Sequence, residues 1–212
     1  MASNRRYKVK KKGLDYPSVT SVVSVIDKGE GLLRWAATVG YAESRKILAT
    51  SADRGKRVHS GIEESLDGKP ITAEQIAACG YLGGYTAFAN EHKPVLLRMG
   101  DDQTPAREVA VYSHVHGYAG TLDAILVLEG DRLALVDWKT ANDFHKEYAL
   151  QTVAYKVAFE EMNPDYHIDE RWVVKFAEDG TYKIKVYRND AQDFAAFQGA
   201  LAIHKWLYKQ GD

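Results

Sequence analysis

A hairpin whose buried face should be apolar instead carries two acids and a lysine, and this conflict limits the fold more than any other feature. Leu122, Ala124, Leu126 and Leu128 alternate along one segment, and Leu133 and Leu135 resume the period of two after Glu129-Gly130-Asp131. The spacing predicts strands over residues 121–128 and 133–139. Yet the first begins in Gly120-Thr121-Leu122-Asp123 and the second ends in Val136-Asp137-Trp138-Lys139-Thr140. Burying an ionised group is costly unless a counter-charge or a metal accompanies it. The strand pair is therefore expected to form part of a site.

Asp137 and Lys139 are two apart on a strand and share a face. Whether Asp123 joins them depends on the turn. With only Gly130 and Asp131 in the loop, Asp123 falls opposite Trp138, on the wrong face. A three-residue loop, Glu129-Gly130-Asp131, pairs Leu128 with Arg132 and sets Asp123 opposite Asp137, and Gly130 makes such a loop inexpensive. We expect the second register, because only it gathers the charges.

Once gathered, the groups suit hydrolysis of a phosphodiester. Carboxylate oxygens are hard ligands for Mg2+ or Mn2+, one ion or two, and leave positions open for water and phosphate oxygens. A neighbouring lysine can orient the attacking water or offset charge in the transition state. A structural Asp–Lys ion pair fits the hairpin equally well, and the hairpin alone does not separate the two.

Two further pairs bear on that choice. His59 and Glu63 lie one helical turn apart in Arg54-Gly55-Lys56-Arg57-Val58-His59-Ser60-Gly61-Ile62-Glu63, and so do Gln151 and Tyr155 on the segment after the acidic strand. Each has an ordinary explanation: a core histidine with a solvated partner, and the polar edge of a helix whose Leu150, Val153, Ala154 and Val157 face the core. Their joint occurrence around Asp123, Asp137 and Lys139 favours a site.

The remaining pattern is mixed. Residues 18–26 are β-branched and ambiguous, residues 30–48 have helical spacing through Leu33, Ala37, Tyr41 and Ile47, and residues 53–66 and 73–90 are further helices, the latter capped by Thr72. Strands are expected at residues 107–113, 171–176 and 181–187, with Glu178-Asp179-Gly180 as a turn, and helices at residues 143–162 and 191–208. The fold class is α/β (α+β): a mixed central sheet flanked by helices, in one domain over residues 1–212. Within it, residues 1–92 form a mainly helical wall, 107–187 the sheet and its helix, and 191–208 a closing helix.

Charge excludes some functions. With 28 basic and 29 acidic residues the net charge is −1, so the chain has no global basic field with which to coat duplex nucleic acid. The basic run Arg5-Arg6-Tyr7-Lys8-Val9-Lys10-Lys11-Lys12 reads as a solvated mobile tail or a nucleic-acid contact. The single cysteine, Cys79, excludes an intrachain disulfide and an all-cysteine metal site, and reads as a small buried thiol in a helix. His114 and His116 share a face if extended, but lack a third soft ligand for zinc. Trp35, Trp172 and Trp206 read as core and rim. No membrane segment or secretion signal stands out, and a cytoplasmic location is expected.

In order and spacing, Arg54-Gly55-x-x-Val58-His59, Gly117-Tyr118-Ala119-Gly120-Thr121-Leu122-Asp123, Asp137-Trp138-Lys139-Thr140 and Gln151-x-x-x-Tyr155 resemble the PD-(D/E)XK nuclease superfamily, in its RecB-like branch of phage-type exonucleases. Tyr16-Pro17-Ser18-Val19-Thr20 is similar to the start of such domains. The resemblance implies a restriction-endonuclease-like core and a metal-dependent DNA exonuclease acting on ends or single strands, in phage recombination, replication or DNA processing. Asp123 and Asp137 would bind the metal with His59 and the Trp138 backbone carbonyl, and Lys139 would activate water. Gln151, Tyr155 and Arg54 would support the site and contact DNA, with Glu108 and Glu63 as ancillary acids. Having one cysteine, the chain is similar to members without an iron–sulfur cluster. DNA is the expected partner, with recombination or replication proteins beside it and no membrane. The rivals are an endonuclease with the same site and a non-catalytic module binding DNA ends.

Overall fold

The computed structural model of the chain describes residues 5–9, 14–26 and 30–208. A mixed sheet forms its centre, with strands β3 (Val95–Leu96), β6 (Arg107–Ser113), β7 (Tyr118–Val127), β8 (Leu133–Lys139), β9 (Glu170–Phe176) and β10 (Tyr182–Tyr187). The order is β10-β9-β8-β7-β3, and β6 also pairs with β7. Only β8 and β9 run parallel. A parallel neighbour needs a crossover of a dozen residues or more, and α6 (Glu147–Met162) supplies it. The expected fold class is therefore found.

Two apolar cores lie against the sheet. One gathers Val19, Tyr118, Leu122, Ile125 and Leu135 with Val153 and Phe159 of α6 and Phe197 of α7 (Asp190–Leu207). The other gathers Ala124, Val136, Trp138 and Phe176 with Val58 and Ile62 of α3 (Tyr41–Leu66) and Phe88 of α5 (Gly80–His92). Leu122 and Ala124, expected on one face, thus belong to different cores. The alternation breaks between them, at Asp123. At the same level on β6, Glu108 takes the left-handed φ of 46°.

Several helix boundaries differ from expectation. The helix expected over residues 30–48 stops at Gly40, whose φ of 85° separates α2 (Glu30–Val39) from α3, and α3 then absorbs the helix expected at 53–66. Leu33, Tyr41 and Ile47 are exposed rather than cored, because no element among the described residues covers that side of the helix pair. The run at 73–90 is likewise two helices, α4 (Ala73–Ala78) and α5, broken at an extended and only half-buried Cys79. Thr72 caps α4 through a reciprocal box with Gln75. A Cβ on Gly80 would lie 1.9 Å from the Glu178 carbonyl oxygen, so α5 seats its glycine directly on the β9–β10 turn.

Residues 18–26 contain a short helix, α1 (Val19–Val23), capped by Ser18. The described part of the basic run is no mobile tail: β1 (Arg6–Val9) pairs with β2 (Leu14–Pro17), and Ser18 bridges to Ala119 of β7. Lys10, Lys11 and Lys12 lie outside the described residues. Nor is α6 amphipathic. Gln151, Thr152, Tyr155 and Lys156 are buried beside its apolar residues, because α6 is sandwiched between the sheet and α7. Among the described residues no helix is long and apolar enough to cross a membrane.

Candidate active site

Residues Glu129–Asp131 form one 3-10 turn with Gly130 at φ 73°, and Leu128 N–H donates to the Arg132 carbonyl at 2.7 Å. The β7–β8 ladder runs from Val127↔Leu133 to Ala124↔Val136. One step further lies Asp123 opposite Asp137, the expected register. On the other side of β7, Arg107↔Ala124 and Val109↔Leu122 place Glu108 level with Asp123. Three carboxylates thus stand level on three neighbouring strands.

The ladder opens at this level because the Asp123 carboxylate takes over a backbone donor. Trp138 N–H donates to Asp123 Oδ2 at 2.8 Å. His59 reaches the opening from α3, where Nε2 donates to the Trp138 carbonyl at 3.1 Å and Nδ1 lies 3.7 Å from Asp123 Oδ1. One ligand atom each from His59, Glu108 and Asp123 fall within 4.8 Å of one another. Asp137 is buried beneath them, its Oδ2 2.5 Å from Lys139 Nζ.

The electrostatics match this crowding. Burial raises the Asp137 carboxyl, Lys139 opposes that rise and Asp123 adds to it. Burial would lower the Lys139 amine, but Asp137 and then Asp123 outweigh it and hold the ammonium above its ordinary range. Glu108 stands at the exposed rim, yet partial desolvation, then the charges of Asp123 and Glu63, push it up to about 7. Burial, and then the charge of Asp137, keep the Tyr155 hydroxyl protonated. Its oxygen accepts from Gln151 Nε2 at 3.1 Å.

Gln151, Tyr155, Glu63, Glu108, Asp123, Lys139 and His59 all line one cavity of about 490 Å³. Glu63 stands at its edge, 4.0 Å from Arg107. Arg54 lies outside it: its guanidinium covers the Tyr81 ring and Nη2 donates to the Thr140 carbonyl at 3.4 Å, bracing α3 against the end of β8. His114 and His116 do not converge. The first bonds the Tyr16 hydroxyl and the second packs on Phe194. Trp138 and Trp172 belong to the second core or its margin, while Trp206 is exposed.

Sequence reasoning missed the cavity's other wall. Arg5 and Tyr7 of the N-terminal hairpin line it with Thr121, to which the Tyr7 hydroxyl bonds at 3.1 Å. The alternation of Arg5 and Tyr7 was legible as strand-like, but the surrounding basic residues masked it. Gly120 also has a role that a motif alone does not explain, since a Cβ there would lie 2.4 Å from Tyr155 Cε1 and 3.3 Å from Val19 Cγ2. Gly120→Ala should therefore cost about 1–3 kcal/mol by overpacking, and displace the Tyr155–Gln151 pair. Thermal melting and cavity-dependent activity, measured together, check this; an unshifted melting temperature would contradict it.

The donor set fits a hard divalent cation. Asp137 Oδ1 is buried without a hydrogen-bond partner, an arrangement that costs stability unless positive charge is near. Lys139 supplies part of that charge from 2.5 Å. The hydrogen bond from His59 Nε2 to the Trp138 carbonyl holds the ring with Nδ1 facing Asp123. Mg2+ should then raise the melting temperature by linkage. Because ligands bind as carboxylates, the increment should shrink as pH falls through about 7, where Glu108 takes up its proton. Without metal the sign reverses. Glu108 binds its proton more tightly folded than unfolded, so its contribution to stability is lost as pH rises toward 7. Melting with and without Mg2+ across that range checks both trends, and a pH-independent increment would contradict the assignment.

No family model and no curated protein matches the chain. Among solved structures it is similar to SSO0001, with a TM-score of 0.42 and 13% identity over 91% of this chain and 76% of that one. It is also similar to the alkaline exonuclease LHK-Exo from Laribacter hongkongensis, with a TM-score of 0.41 and 15% identity over 92% of each chain. The complex of LHK-Exo with dAMP gives a TM-score of 0.36 and 16% identity over 84% of this chain and 91% of that one. Likeness at this level leaves any functional reading to rest on the site.

Proposed function

We propose that the chain is a divalent-metal-dependent deoxyribonuclease that hydrolyses phosphodiester bonds, as an exonuclease on DNA ends or single strands. The observation that carries this reading is the convergence of His59, Glu108 and Asp123 on one cavity, with the buried Asp137 carboxylate beside it, held at Oδ2 by the Lys139 ammonium and unpartnered at Oδ1. An ion pair that only held strands together would be expected to satisfy its oxygens.

Asp123, Asp137, His59 and Glu108 would hold Mg2+ or Mn2+, with the Trp138 carbonyl beside them. When bound, the cation supplies charge that offsets the phosphate oxygens and favours ionisation of water. The Lys139 ammonium donates a hydrogen bond from Nζ that orients the attacking water and offsets charge on the pentacoordinate phosphorus. Gln151 holds Tyr155 by the oxygen, which leaves the Tyr155 O–H free to donate to a non-bridging phosphate oxygen. Arg5 and Lys56, both lining the cavity, add positive charge for the strand. Phage recombination, replication or DNA processing in the cytoplasm is the setting this reading carries with it, with partner proteins of those processes.

Incubation with Mg2+ of linear DNA and of covalently closed circles tests the mode of cutting. An exonuclease degrades the first and spares the second. Nicked or linearised circles would replace it by an endonuclease with the same site, and no product from any DNA form would leave a binding module.

A further inference from the structure

A second groove meets the catalytic cavity at Ala52 and Lys139, which line both. It measures about 830 Å³ and runs between α2, the N-terminal half of α3 and the loop after β8. The two spaces lie end to end along α3, the groove beside residues 47–54 and the cavity beside 52–63. They join where α3 passes closest to Thr140: a Cβ on Gly55 would lie 3.8 Å from Thr140 Oγ1.

Chemistry changes across that junction. The cavity presents acids, an imidazole and an ammonium, groups suited to phosphate and metal. The groove presents Trp35, Ile47 and Leu48, the last two 39% and 48% exposed. Beside them, Arg54 has a buried Nε without an acceptor and makes no ion pair with a carboxylate among the described residues. An apolar, aromatic floor next to a guanidinium with no carboxylate partner suits a base face followed by a phosphate. Base faces are open to such a floor only when the strand is unpaired.

We propose that this groove holds the unpaired nucleotides flanking the scissile phosphate, with Trp35 stacking on a base and Arg54 reaching a backbone phosphate. The inference rests on the nuclease reading and makes the strand entering the cavity single-stranded along α3. It is tested by fluorescence anisotropy of labelled oligothymidylate and of a blunt duplex, with Ca2+ in place of Mg2+ to hold back cleavage. Trp35→Ala and Leu48→Glu should each weaken oligothymidylate binding about tenfold while changing duplex binding less than about twofold.

Unchanged oligothymidylate binding in both variants overturns the proposal. An equal loss on both probes also overturns it, because the groove would then not discriminate unpaired bases. The Mg2+-induced rise in melting temperature reports an intact catalytic cavity, and its loss in both variants would mean that the groove residues act structurally, which overturns the proposal too. If instead the wild type bound neither probe and cut neither in Mg2+, the nuclease reading itself would fail, and this inference with it.

Discussion

Lys139→Ala should lower the rate of phosphodiester cleavage about a thousandfold, the scale of losing a positioned proton-handling or charge-stabilising group. The loss should fall on kcat, because Lys139 contributes a single contact among the many that hold the strand. The variant also removes the counter-charge from Asp137, which is 1% exposed, so its carboxyl should rise further and take up a proton near neutrality. Lys139→Gln separates these effects, since it keeps a donor near the water but no charge. Single-turnover kinetics on labelled DNA, with melting curves for each variant, check the prediction. A Lys139→Ala enzyme cutting within an order of magnitude of wild type would assign the lysine a structural role.

The largest effect on stability is expected at Arg171, which is 1% exposed and belongs to none of the cavity walls. Nε donates to Asp190 Oδ1 at 2.7 Å, Nη2 to Asp193 Oδ2 at 2.6 Å and Nη1 to the Ala149 carbonyl at 2.8 Å, so one side chain ties β9 to both α6 and α7. Lys156 adds a second cation on Asp190 at 2.6 Å. Arg171→Met keeps the volume but strands the acceptors, a loss of about 3 kcal/mol, at the lower end for a broken buried pair because both aspartates retain some solvent. For a chain of this size that corresponds to a fall in melting temperature of about 6–12 °C. A fall of under about 2 °C would show that the network is solvated enough to be dispensable.

Much of the sheet was legible because its signals are local. The strands at 107–113 and 133–139 have the limits their alternation predicts, and the three-residue turn follows from a glycine placed where a left-handed φ was needed. Thr72 announced its helix for the same reason. What was illegible depends on distant partners. The face switch at Asp123 depends on β6 and β8 together, and the burial of Gln151 and Lys156 on α7 packing over α6. The N-terminal strands were hidden by the run of basic residues in which the first of them stands.

The candidate site shows the same division. Asp137 and Lys139 share a face by strand period alone, whereas Asp123 joins them only in the register of the three-residue turn. His59 and the Gln151–Tyr155 pair could be nominated from spacing, and Glu108 from the family resemblance, but only the fold brings them to one cavity. Nothing in the sequence joined Arg5 and Tyr7 to Thr121. Arg54, expected to support the site and contact DNA, lines the groove beside the cavity.

The central claim is that Asp137 and its neighbours form a metal-dependent cutting centre. End-labelled single-stranded and double-stranded DNA, incubated in Mg2+ with wild type and with Asp137→Ala, tests it most directly. Mg2+-dependent shortening by the wild type is expected, abolished by EDTA and absent from the variant, while the variant still melts cooperatively. Cleavage that survives in Asp137→Ala, or a wild type that leaves both DNAs intact with Mg2+ and with Mn2+, would contradict it.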